Sequence, residues 1–506
     1  MKNILLTVCL LWGGVLSAQL PLANPETIRK DLAVLTSDAF RGRGTADTGY
    51  NLAAAYVGEK LLEAGMHTLS GTQMPGGRPE DFFLPVPMLR EKLIDIRWRT
   101  GSKSWKFGKD FYTNRAFPKE IIVADEIVVI GYGREEDVNQ AVLADKVVVI
   151  WRKKTGKEKP ASIREITRQL NRSNPRAIIL IDQDFPKKPA AMAAFLQTER
   201  VSIDYNREIE EGISINTNPA VPMVVISEKT ARKIWKDQGL EWKKSWAAFE
   251  TPGSRRPQVM PFQMRLQAEM TSVQVNVPNV AGFLPGKKYP DQYIVVTAHL
   301  DHLGKHDGKT YYGADDNGSG SSALLEMTRL LQQYREQGEL SDRSIVFLWF
   351  TGEEMGLLGS QYFTYKSVIP LENIMANLNV DMIGRIDKAH EQDTNYVYLI
   401  GSDRLSTQLH QKSEEINSNC CGMQLDYTFN DPKDKNRYYE RSDHYNFAKQ
   451  GIPCIFYFSG IHADYHKPTD TMDKINFHRI ARITDLILQT AVGLGNLETP
   501  LLLDKQ

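Results

Sequence analysis

The chain has 506 residues, too many for one ordinary hydrophobic core, and its 42% hydrophobic and 25% charged content is that of a folded protein. Lysine plus arginine total 62, as do aspartate plus glutamate, so the formal charge is zero. That balance argues against a general nucleic-acid-binding or anionic-membrane surface.

At the N-terminus, Lys2 precedes an apolar run from Ile4 to Val15, and Leu16-Ser17-Ala18 offers a small-residue cleavage site before Gln19. This is the pattern of a secretory signal peptide over residues 1–18, and it predicts an exported protein, periplasmic or secreted, cleaved near Ala18. The run is shorter than the ~20 residues that span a bilayer, so no membrane span is expected. Cleavage removes Cys9 and leaves Cys420, Cys421 and Cys454. The odd count predicts one disulfide partner and one spare thiol at Cys420 and Cys421. Cys454, inside the apolar run "IPCIFYF", reads as buried and inert.

Residues 25–66 read helical. "PETIRKDLAVLTSD" sets Ile28, Leu32 and Leu35 at helical spacing, and "NLAAAYVGEKLLEAG" ends on a glycine cap, with the glycine-rich loop "FRGRGTADTG" between them. Residues 95–255 have a different texture. Short β-rich runs such as "EIIVADEIVVIGYG", "KVVVIW", "AIILI" and "VPMVVIS" alternate with polar or helical stretches, with no suggestive cluster of histidines and acids. They read as an α/β or β-rich domain inserted between residues 19–94 and 256–506, leaving through the linker "TPGSRRPQ".

From about residue 270 the pattern repeats strand, loop, helix. The strands are "YIVVTAHL", "SIVFLWF", "ANLNVDMI", "YVYLIG" and "IPCIFYFS", with a helix from Ser321 to Tyr334 after the first. Near-continuous apolar strands separated by helices predict an α/β fold: a mostly parallel, mixed sheet sandwiched by helices. In such a sheet functional residues collect beyond the carboxyl ends of the strands. Those ends carry His299 and Asp301, then Glu353 and Glu354, then Asp381, then His462, His466 and Asp470; the loop "YYGADDNGSG" adds Asp315 and Asp316. Each alone has an ordinary explanation: a surface histidine, a turn, a helix N-cap, a solvated helix start. Together, at one edge of one sheet, they point to metal binding.

Imidazole mixed with carboxylates and no thiolate suits zinc; manganese and cobalt accept similar donors. If one acid is kept for proton work, five good ligand candidates remain, enough for two metals when one carboxylate bridges. The adjacent glutamates of "WFTGEEMGLLGS" divide two tasks, because a carboxylate committed to a metal is a poor base while its neighbour remains free. Asp301 lies two residues after His299, on the same face of an extended strand, where its carboxylate is placed to fix the imidazole tautomer. His302 then points away and reads as structural.

The segments "AHLDHLG", "GADDNGSG", "FTGEEMGLLGSQYF", "NVDMIGR" and "RSDHYNFAKQGIPCIFYFSGIHADYHKPTDT" resemble, in order, the signatures of the M28 family of zinc metallopeptidases, and "IRKDLAVLTSDAFRGRGTADTGYNLAAAYV" resembles their N-terminal segment. The 95–255 insertion is similar in texture and placement to a protease-associated domain. The resemblance implies two zinc ions per chain, one held by His299, Asp316 and Asp381 and the other by Asp316, Glu354 and His466, with a cis peptide after the bridging Asp316. It implies Glu353 as general base; Asp301, through the His299 ring, is counted with it among the catalytic residues. The reaction implied is hydrolysis of the N-terminal peptide bond of peptides with a free N-terminus, through a metal-bridging hydroxide. Glutaminyl cyclases, carboxypeptidases and non-catalytic binding proteins share the scaffold and are the alternatives.

Overall fold

The computed structural model describes residues 20–69, 75, 77–118, 120–133, 143–154, 160, 162–204, 221–250 and 256–505. The expected signal peptide and residues 251–255 of the expected linker lie outside them. No helix among the described residues is long and apolar enough to cross a membrane. The chain divides into two compact units, Met1–Met88 with Val275–Gln506, and Leu89–Gln274. From sequence these borders are expected at 94/95 and 255/256. They differ because the strands Phe83–Thr100 and Gln258–Leu284 run unbroken through both borders, so no change in loop composition marks them.

In the larger unit the apolar runs form a sheet. Its strand order is Gln424–Asp426, Tyr396–Ile400, Cys454–Phe458, Ile374–Val380, Tyr289–His299, Arg343–Phe350, then the end of Gln258–Leu284. Tyr289–His299 pairs in parallel with both Arg343–Phe350 and Ile374–Val380, and Ile374–Val380 pairs in parallel with Cys454–Phe458. Tyr396–Ile400 and the end of Gln258–Leu284 join antiparallel. Every residue of Arg343–Phe350, Ile374–Val380 and Cys454–Phe458 is buried, which is why these strands lack the polar alternation of a one-sided sheet. The helix expected over 321–334 runs Gly320–Glu336. The N-terminal helical stretch resolves into Pro25–Leu35, capped by the Asn24 side chain, and Thr48–Glu63.

The register aligns the strand ends. His299 stands opposite Phe350, Thr297 opposite Asn379, and Val380 opposite Tyr457. The residues that follow each strand therefore emerge along one edge, which is what gathers side chains from positions 299 to 466.

The smaller unit carries parallel strands Ile122–Val129, Val147–Arg152, Ala177–Asp182 and Met223–Ile226. Alternate residues face opposite cores: Val147, Val149 and Trp151 pack with Trp235 and Trp246, while Val148 and Ile150 pack with Ile166 and Leu170. Among the described residues, both clusters able to hold a metal lie in the larger unit.

His444 in the larger unit makes a pH prediction. It is fully buried, stacked on Phe456 at 4.8 Å between ring centroids, and burial lowers its pKa to about 3. The unfolded chain takes up this proton near pH ~6.5. The folded chain refuses it until about pH 3, so acid favours the unfolded state across that window. The contribution is fully present above pH ~6.5 and falls by at most ~1.4 kcal/mol per pH unit below it. His444→Phe should therefore lose less Tm than wild type between pH 6.5 and 4.5. Parallel Tm curves for the two proteins would refute this account.

Candidate metal centre

Four stretches after strand ends and one loop build the site. His299 closes its strand and is buried; its Nε2 lies 3.4 Å from Asp316 Oδ1 and 3.3 Å from Asp381 Oδ1. His466 Nε2 lies 3.1 Å from Asp316 Oδ2 and 3.1 Å from Glu354 Oε2. Asp316 thus turns one oxygen toward each group. The five residues expected as ligands are brought together as two histidine–carboxylate groups meeting at Asp316. The Asp316–Asn317 peptide is cis.

Two further side chains reach the same groups. Glu353 offers an oxygen close to ligand atoms of His299 and Asp381, all within 4.8 Å of one another. His302, expected to be structural, is fully buried with Nδ1 2.7 Å from Glu354 Oε1 and 3.8 Å from Asp316 Oδ2. Alternation along an extended strand misplaces it, because the strand ends at His299 and His302 already belongs to the loop.

Asp301 also differs from expectation. The His299 Nδ1 partner is the Asp301 main-chain oxygen at 3.0 Å; the nearest carboxylate oxygen is 3.9 Å away. The carboxylate instead accepts the Glu353 N–H at 3.1 Å and the Thr45 hydroxyl at 2.6 Å. Asp315, His462 and Asp470 gather behind Asp316. Asp470 accepts the main-chain N–H of Asp315 at 3.0 Å and of Asp316 at 3.2 Å, and His462 Nε2 stands 3.2 Å from Asp315 Oδ2.

Electrostatics set the character of this pocket. Burial, joined by the charges of Glu354 and Asp381, raises the Glu353 carboxyl well above its ordinary range. Burial also raises Asp301, to about 6. Burial opposes a charged His466, but Asp316 and Glu354 outweigh it and raise the ring to about 10. Asp316 Oδ2 faces His466 Nε2 at 3.1 Å and Glu354 Oε1 faces His302 Nδ1 at 2.7 Å, so the buried carboxylates of the site meet imidazole nitrogens at close range. Carboxylates buried this close together are costly, and a cation offsets their charge. The oxygen and imidazole donors, with no thiolate among them, fit zinc.

A cleft opens beside these residues. Met382, Phe456, Phe458 and Ile461 supply apolar wall, and Tyr438, Arg441 and Tyr465 complete it. Arg437 pairs with Glu440, whereas the exposed Arg441 approaches the Tyr465 hydroxyl at 3.4 Å. The sequence pattern reaches neither Thr45 nor the apolar part of the cleft wall, and the only rim stretch it singles out is "YTFNDPKDKNRYYERSD", which carries Tyr438 and Arg441; for Thr45 the available signal is the unexplained glycine-rich loop. The pattern also misses the bond between Cys420 and Cys421, which pair with each other and leave Cys454 free and buried.

The chain is 30% identical over 242 residues to a probable leucine aminopeptidase of Arthroderma otae, a match covering 45% of this chain and 61% of the relative. It is 31% identical over 219 residues to aminopeptidase YwaD of Bacillus subtilis, covering 41% of this chain and 43% of that protein. The chain therefore spans less than two thirds of the length of these curated relatives. A solved aminopeptidase from Aneurinibacillus sp. strain AM-1 superposes with a TM-score of 0.52 at 18% identity, covering 96% of this chain and 97% of that one. It shares the mixed α/β fold with a large, mostly parallel sheet flanked by helices. The sequence model of peptidase family M28 matches residues 279–491, the stretch that carries His299, Asp316, Glu354, Asp381 and His466. Over that segment the chain is similar to peptidase family M28.

Proposed function

We propose that the protein is an exported aminopeptidase that uses two zinc ions to hydrolyse the N-terminal peptide bond of peptides with a free N-terminus. The observation that carries this reading is Asp316, which presents Oδ1 to His299 and Oδ2 to His466. His299, Asp381 and Asp316 would hold one ion; Glu354, His466 and Asp316 the other. When bound, zinc polarises a carbonyl and lowers the pKa of water toward ~7. The three ligand carboxylates offset three of the four positive charges of two zinc dications, which suits a partly dry cleft.

Glu353 takes the proton from the attacking water and passes it to the departing amine. Asp301 orients Glu353 by accepting its main-chain N–H. His302 and His466 approach opposite oxygens of Glu354 and hold that carboxylate in one orientation. A substrate's first side chain enters against Met382, Phe456, Phe458 and Ile461, which favours apolar residues. The names of the curated relatives support the same substrate class.

A panel of aminoacyl-anilides and glutaminyl peptides, with metal analysis of the same sample, tests the reading. Cleavage of apolar aminoacyl-anilides by protein carrying about two zinc ions per chain is the expected result. Cyclisation of glutaminyl peptides without hydrolysis, or negligible zinc in protein purified without chelator, would overturn it.

A further inference from the structure

The glycine-rich loop between the first two helices reaches the core of the site. Arg43 is fully buried and donates to the main-chain oxygens of Leu300 at 2.9 Å, Leu35 at 2.7 Å, Tyr312 at 2.8 Å and Gly313 at 2.8 Å. The His302 N–H donates to the Arg43 carbonyl at 3.1 Å. Gly42 has φ +70°, and a Cβ there would lie 2.1 Å from the Tyr311 oxygen, so only glycine fits this approach. The loop is thereby tied both to the strand end that carries His299 and to the loop before Asp316.

Two residues after Arg43, Thr45 is buried and donates its hydroxyl to Asp301 Oδ2 at 2.6 Å. The other oxygen of that fully buried carboxylate accepts the Glu353 N–H at 3.1 Å. The two bonds use opposite oxygens of one carboxylate, so the Thr45 bond fixes its rotation and with it the acceptor available to Glu353. We propose that Thr45 is a positioning residue for the general base, acting through Asp301. The proposal rests on the reading of Glu353 as that base. A carboxylate free to rotate leaves the main chain of Glu353 loosely held, and small displacements of a reacting group cost rate rather than binding.

Thr45→Val preserves shape and removes the hydroxyl, and Thr45→Ser retains it. Thr45→Val should lower kcat about tenfold, with KM within about twofold and zinc content as in wild type. Thr45→Ser should recover most of kcat. Amide hydrogen exchange across residues 349–357 should be faster in Thr45→Val than in wild type, a readout that needs no turnover. Wild-type kcat and exchange in Thr45→Val would overturn the proposal, as would a loss of zinc or of folded protein shared equally by both variants. The base itself is tested separately. If Glu353→Ala is inactive while Thr45→Val matches wild type, only the role of Thr45 fails. If Glu353→Ala retains turnover, the reading of the base fails, and exchange still reports on the hydrogen-bond chain.

Discussion

Glu353→Ala is expected to cut turnover by ~10²-fold or more while the protein keeps its zinc. The expectation follows from a division of labour between neighbours. Glu354 stands 3.1 Å from His466 and 2.7 Å from His302, and its charge is committed to that group. Glu353 turns instead toward His299 and Asp381, where its carboxyl is raised well above the ordinary range by burial and the adjacent acids. Burial and neighbouring acids favour the protonated carboxyl, the tendency that suits a general base. The metal measurement is decisive because Glu353 also lies within ligand reach of His299 and Asp381. Zinc lost together with activity would make Glu353 a ligand and remove it as the base. Glu354→Ala is the contrasting variant: it should weaken metal binding as well as turnover.

The second large effect belongs to Asp316. Asp316→Ala should weaken metal binding at both positions, by more than the ~10–100-fold typical of losing an outer-shell partner. Each of Glu354 and Asp381 belongs to one histidine–carboxylate group, while Asp316 belongs to both. Glu354→Ala or Asp381→Ala should therefore leave one ion more firmly held than Asp316→Ala does. Competition with a chromophoric chelator measures this, and circular dichroism checks that each variant is folded. Asp316 is buried at the start of a turn held by Asp470, so the alanine leaves the main-chain hydrogen bonds of Asp315 and Asp316 in place. Undiminished zinc affinity in Asp316→Ala would remove the shared link and the two-ion reading with it.

Much of the fold and of the candidate site is legible in the sequence. Continuous apolar runs locate the buried strands, because a strand covered on both faces has no position where a polar side chain reaches water. The residues just past those runs form the site, because parallel strands in register end together. Adjacency suggests that Glu353 and Glu354 divide two tasks, while the order of the tasks comes from the family resemblance. Short-range inference failed where geometry departs from the local element. His302 was misplaced because the strand ends at His299, and Asp301 because its main chain, rather than its carboxylate, meets the His299 ring. Adjacency suggests separate fates for Cys420 and Cys421, yet they bond to each other.

What the chain determines by itself is local: the strands and helices, the chemistry of the residues that follow them, and the absence of thiolate from the donor set. Each is encoded within a few consecutive residues, where periodicity and burial act. What only the tertiary structure decided is the set of partners: Asp316 between two groups, Arg43 under the loops that carry the ligands, and Thr45 on Asp301 across 256 positions of sequence. Those pairings depend on where the folded backbone brings distant carbonyls and carboxylates together, and no local periodicity records that separation.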